Sequence, residues 1–256
     1  MNRTLLFAGA LALTLSYTSC SDTQTYADLV ATEKEAINTW ITVDPQGANF
    51  GNIISKDEDW LDDITEDILE DDMHPEQCGL ELGQWYRITE GDFKRLYFRI
   101  NSWGNEGAEM DSLRANGITP TDEQYATAMQ SKKKFNSTSN HDVLIRYDHM
   151  WMMTNYDYED EDENIEYDNL DANSYVICYN WNPSYYASAY YSTYYSTGSS
   201  YECTSGGLAF PIRFLWEGGN ASIICPFSLV ETALSSYYYT LYYGEIEYTK
   251  STYLPQ

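Results

Sequence analysis

The spacing of apolar residues changes once along this chain, near Trp85, and the change restricts the fold to one that joins helices to a sheet. Before it, Tyr26, Leu29, Val30, Glu33, Ile37, Trp40 and Ile41 recur at helical intervals, as do Trp60, Leu61, Ile64, Ile68 and Leu69. That periodicity predicts two amphipathic helices. Thr25 and Asp28 form a capping-box pattern at the start of the first, and Asp44-Pro45-Gln46-Gly47 ends it. After Trp85 the apolar residues alternate or run in short blocks, which predicts strands. The segments are 85–88, 95–100, 142–147 continuing through Met152, 175–179, 221–226 and 241–249. In the last, alternation puts Tyr242, Gly244, Ile246 and Tyr248 on one face and Tyr243, Glu245 and Glu247 on the other. Leu208 to Trp216 is apolar and predicts a short internal helix. The expected class is therefore α+β: N-terminal helices, then an antiparallel sheet with one short helix.

Charge narrows the partners. Forty acidic residues against 14 basic ones give a formal charge of −26, a field that repels nucleic acid and anionic membrane surfaces. The outer face of the second predicted helix is acidic from Asp57 to Asp72, without the D-x-[DN]-x-[DN]-G order of a calcium loop, and reads as a solvated face. The acidic segment 157–171 reads as a loop and 109–129 as a loop with a weak helix from Thr121. Tyr185 to Tyr201, built of Tyr, Ser, Ala and Thr, reads as a surface insertion. Phosphate loops, nucleophile elbows and Cys-x-x-Cys pairs are absent from the sequence. His141 and His149 lie on one face if extended and, with His74, complete the histidines. We expect neither a metal site nor a cofactor from them.

The first residues resemble an export signal. Met1-Asn2-Arg3 supplies a positive start, Leu5 to Leu15 is apolar, and Ser16-Tyr17-Thr18-Ser19 leads into Cys20. The apolar run is too short to span a bilayer and fits a signal peptide. Ser19-Cys20 resembles a lipobox, with Tyr17 where leucine is usual. The expectation is a lipid on Cys20 and a membrane-anchored protein in a Gram-negative cell envelope, facing the periplasm or the cell surface. Cys78, Cys178, Cys203 and Cys225 then remain. They allow three pairings, and either a disulfide or buried thiols fits.

The order of the second half resembles the FKBP-type prolyl isomerases. Leu96–Ile100 resembles an opening strand, Asp142–Tyr147 the early strand, and Gly206-Gly207-Leu208 with Gly218-Gly219 the helix segment. Ala221–Pro226 resembles the strand ending in Ile-x-Pro, and Thr240–Tyr248 the last strand. With the lipobox-like start, the chain resembles an uncharacterised group of Bacteroidetes lipoproteins with an FKBP-like fold. The resemblance implies a signal peptide at 1–19 and a tether with acidic helices at 20–79. An FKBP-like domain follows at 80–250, with insertions near 105–140 and 180–205. It also implies a proline pocket at Tyr147, Tyr156, Asp157, Leu208, Val230 and Tyr243. Leu208 stands there for the floor tryptophan and Val230 for a hydrogen-bonding tyrosine. Those two departures lead us to expect a protein- or peptide-binding domain with little or no isomerase activity. An active isomerase of the envelope and a surface glycan binder using the tyrosine-rich stretch are the alternatives.

Overall fold

The computed structural model describes residues 24–131, 133–135, 141–167, 175–181, 192–196, 199–203, 206–230 and 237–250. Cys20 and the segment read as an export signal lie outside them, as does about half of the tyrosine-rich stretch. Among the described residues no helix is long and apolar enough to cross a membrane.

The fold is α+β. Helix α1 spans Tyr26–Val43 and α2 spans Glu58–Leu69. The expected capping box is present: Thr25 accepts from the Asp28 N–H while the Asp28 carboxylate accepts from Thr25. Asp57 caps α2 by accepting from the Trp60 N–H at 2.9 Å. Leu61, Ile64 and Ile68 are buried, each contributing roughly 1.5–3 kcal/mol by leaving water. That burial offsets the repulsion among carboxylates on the outer face. Two further short helices, α3 (Ala108–Ala115) and α4 (Asp122–Met129), fill the region read as a loop with a weak helix. A Thr121/Gln124 capping box starts α4. A turn of helix α5 (Gly206–Ala209) runs into a 3-10 segment, Phe210–Phe214. The predicted short helix is thus divided at the turn that carries Pro211, which has no N–H to continue an α ladder.

Nine strands among the described residues form one sheet in the order β1-β2-β3-β8-β9-β4-β5-β6-β7. They are β1 (Ile54–Lys56), β2 (Trp85–Ile88), β3 (Tyr97–Ser102), β4 (His141–Met152), β5 (Tyr175–Trp181), β6 (Ser192–Ser196), β7 (Ser199–Cys203), β8 (Gly219–Cys225) and β9 (Leu241–Lys250). Among these described strands only the β1–β2 pair is parallel. The part of the tyrosine-rich stretch that is described, β6 and β7, adds to the sheet beyond β5.

Each face of the sheet has its own core. On one, α2, α5 and the 3-10 segment cover Tyr86, Phe98, Val143, Ile145, Tyr147, Ile223, Tyr243, Ile246 and Tyr248. On the other, Ile37 and Trp40 of α1 cover Trp85, Tyr97, Trp151, Ile224 and Tyr242. The alternation read for the last strand fails here: Tyr243 shares a core with Ile246 and Tyr248, and Tyr242 faces α1. A bulge is the reason. Ala221 pairs with Ile246 but Ile223 with Tyr243, so β9 carries one extra residue. Beside it in β4, His149 sits at φ 57°, and a side chain on Gly244 would meet the His149 Cβ at 2.9 Å. The side chain of His141, and with it the single face expected of His141 and His149, lies outside the described residues.

Candidate functional site

Four of the residues assigned to a proline pocket belong to the core beneath the sheet. Leu208, Tyr243, Val230 and Tyr147 are 0%, 1%, 4% and 8% exposed. The Tyr147 and Tyr243 rings pack edge to face at 5.0 Å, and the Tyr248 hydroxyl donates to the Leu208 carbonyl at 2.9 Å. Tyr156 and Asp157 are not with them. Tyr156 lies across the sheet, against Trp40 and Trp151. The Asp157 carboxylate accepts from the N–H groups of Glu159 and Asp160. A cavity of about 210 Å³ does border Tyr156, between Trp151, Asn155 and the 163–167 segment.

A larger opening, about 590 Å³, lies elsewhere. Leu80, Leu82, Ile118 and Pro120 wall it, and Glu76, Arg114 and Tyr125 form its polar floor. Leu82 and Ile118 are 37% and 54% exposed. The floor is braced by a half-buried network. Arg114 donates to Glu76 Oε1 at 2.5 Å and to both Glu106 oxygens at 3.0 Å. Tyr125 donates its hydroxyl proton to Glu76 at 2.7 Å, and the Trp103 indole donates at 3.1 Å. Behind them His74, fully buried, meets Glu106 at 2.6 Å.

The hydrogen bonds fix the state of that histidine. The Glu76 backbone N–H donates to His74 Nδ1 at 3.2 Å, so Nδ1 carries the lone pair and Nε2 the proton given to Glu106. Burial lowers the His74 pKa, only partly countered by Glu106, so the ring is neutral. With both nitrogens engaged it is no general base; it stacks on Trp216 at 5.1 Å and holds Glu106 in place. Burial would raise the Glu76 carboxyl, but hydrogen bonds from Arg114, Tyr125 and Trp103 outweigh it and keep the group ionised. Burial pushes the Tyr125 phenol up, aided by Glu76. The floor therefore offers no activated nucleophile. It does offer donors: three of the five Arg114 N–H groups serve Glu76 and Glu106, which leaves two for a ligand oxygen.

Lys134 lies behind the same network. It is 1% exposed, its Nζ has no hydrogen-bond partner and sits 4.3 Å over the Trp216 ring, and burial pushes its pKa down to about 7. Cys78 is a half-buried free thiol raised to about 11 by burial. Cys225 is buried beneath Gly207. The side chains of Cys178 and Cys203, and with them any pairing of these two, lie outside the described residues. Among the described residues one group has ligand atoms close enough to share a cation: Asp148, His149 and Glu166, all within 4.8 Å of one another on the surface. The sequence reading missed both clusters. Glu76, Glu106 and Arg114 fall on separate elements with no common spacing, and only the distribution of charge about His74 could have hinted at them.

No family model matches the chain, and no curated protein does. Among solved structures it is similar to a DUF4827 family protein from Parabacteroides distasonis ATCC 8503. The identity is 15%, the match covers 90% of this chain and 99% of that one, and the TM-score is 0.46.

Proposed function

We propose that this chain is an exported, lipid-anchored protein of the cell envelope whose FKBP-like unit binds a protein or peptide and does not catalyse proline isomerisation. The packing of the assigned proline pocket carries the reading. An isomerase must admit a prolyl ring into an apolar cleft and lower a barrier of ~18–20 kcal/mol. Here Tyr147, Leu208, Val230 and Tyr243 are at most 8% exposed and already fill the space between sheet and helix. The FKBP-like assignment draws support from adjacency. The opening, early, Ile-x-Pro and last-strand segments are β3, β4, β8 and β9, neighbours in the order β3-β8-β9-β4. The helix segment, α5, packs in the core on one face of that sheet.

Binding is better served by the groove over Glu76 and Arg114. Its apolar walls suit side chains of an extended segment, and its two spare guanidinium protons suit a carbonyl or carboxylate oxygen. A displayed library of random heptapeptides, selected on the full chain, tests this. Selected peptides are expected to lose at least about tenfold in affinity, or ~1.4 kcal/mol, on Ile118→Asp and to be unmoved by Ile165→Asp, which lies outside the groove. Peptides indifferent to Ile118 and Arg114, or none selected, would refute the groove as the site.

A further inference from the structure

The surface beside the start of α1 differs in chemistry from the rest of this acidic chain. Phe227 is its hub. The rings of Tyr26 and Tyr238 meet Phe227 edge-on at 5.7 and 5.5 Å, and the Arg95 guanidinium lies 5.5 Å over it. Tyr26, Tyr238 and the adjacent Tyr237 are 61%, 45% and 66% exposed. Next to them Lys34, Arg87 and Arg95 line a small cavity of about 70 Å³ with Val30, Ile37 and Tyr97. Three of 14 basic residues thus meet at one place on a chain of charge −26. Arg95 is held by Glu33 at 2.6 Å, whereas the buried Nε of Arg87 has no hydrogen-bond partner. The exposed acid beside Tyr26, Asp28, caps α1 and keeps its negative charge, its pKa lowered by the hydrogen bonds from Thr25.

We infer that this aromatic and basic face seats the protein on a phospholipid bilayer. The inference rests on the lipid-anchor reading above. Five residues lie between Cys20 and Tyr26, six steps along the chain, so a lipid on Cys20 keeps Tyr26 within ~20 Å of the headgroups. Tyrosine suits that depth, with its ring toward the acyl boundary and its hydroxyl in the polar layer. Arginine and lysine meet the lipid phosphates. The net charge repels an anionic surface, and at this face Lys34, Arg87 and Arg95 oppose that repulsion. Arg87 and Tyr97 belong to the α1 side of the sheet, while Leu80 of the groove packs with α2 and α5 on the other. Seating therefore turns the groove away from the membrane.

The test uses the full-length lipidated chain in phosphatidylethanolamine–phosphatidylglycerol vesicles with brominated acyl chains, which quench tryptophan on contact. Co-sedimentation, lost on Cys20→Ala, reports the anchor separately. In the anchored protein the emission added by Tyr26→Trp and by Tyr238→Trp is expected to fall about twofold or more, as befits interfacial aromatics, and that added by Ile118→Trp to be unchanged. Lys34→Glu with Arg87→Glu is expected to restore the Tyr26→Trp emission. Anchored protein with no quenching at 26 and 238, or with equal quenching at 118, overturns the seating and leaves the anchor standing. Failure to co-sediment overturns both.

Discussion

Replacing Lys134 by methionine should stabilise this protein, contrary to the usual effect of a core substitution. Lys134 is 1% exposed, and its ammonium has the Trp216 ring beneath it but no hydrogen-bond acceptor. A fall from 10.5 to about 7 corresponds to roughly 5 kcal/mol of disfavoured charge. Relaxation and loss of the cation–π contact, worth about 2 kcal/mol when desolvated, reduce the net gain to about 2–3 kcal/mol at pH 7. The sign follows from linkage. A base with a depressed folded pKa is unpenalised above its unfolded value, and its penalty grows as pH falls from about 10.5 to about 7. Urea unfolding of both proteins at pH 7 and pH 9 measures the effect. The variant is expected to be more stable at pH 7, with the advantage cut by about half or more at pH 9. A less stable variant at pH 7, or an advantage independent of pH, would refute the argument that an unpaired buried charge sits there.

Three more outcomes follow from the packing. Gly104→Ala should cost about 3 kcal/mol or more in unfolding free energy, because its φ is +97° and an added Cβ would lie 2.5 Å from the Trp216 carbonyl oxygen. Glu33→Ala should cost ~2–4 kcal/mol, since the buried carboxylate accepts from the Phe227 N–H at 2.8 Å and pairs with Arg95 at 2.6 Å; Glu33→Gln, which keeps an acceptor, should cost less in the same thermal melt. His74, depressed by burial, contributes stability above pH 6.5 that is lost as pH falls through its lower folded value. His74→Gln should flatten that acid limb of the pH–stability profile.

The sequence made the elements legible wherever local rules act alone. The Thr25/Asp28 cap, the α1 and α2 stripes and the blocks that became β2, β3, β4, β8 and β9 all follow from spacing of three to four or two residues. Where a contact between distant segments decides, the reading stopped. The bulge at His149 and Gly244 moves Tyr243 to the face opposite the one alternation assigns, and nothing in Tyr-Tyr-Gly-Glu announces it. β1 is three residues long and exists because β2 lies beside it. The Thr121/Gln124 cap of α4 also follows from a local spacing of three residues. Tyr147, Leu208, Val230 and Tyr243 belong to the core on one face of the sheet, and Tyr156 packs on the other. The groove floor draws Glu76, Arg114 and Tyr125 from three segments with acidic surroundings, and only folding brings them together.

Cis–trans isomerisation of a proline tetrapeptide in the presence of the full chain tests the central claim most directly. A core filled by Tyr147, Leu208, Val230 and Tyr243 is expected to leave the rate at its uncatalysed value, with a relaxation of tens to hundreds of seconds near 25 °C. A rate that rises in proportion to protein concentration and is lost on Tyr147→Ala would contradict the account and make this chain an isomerase.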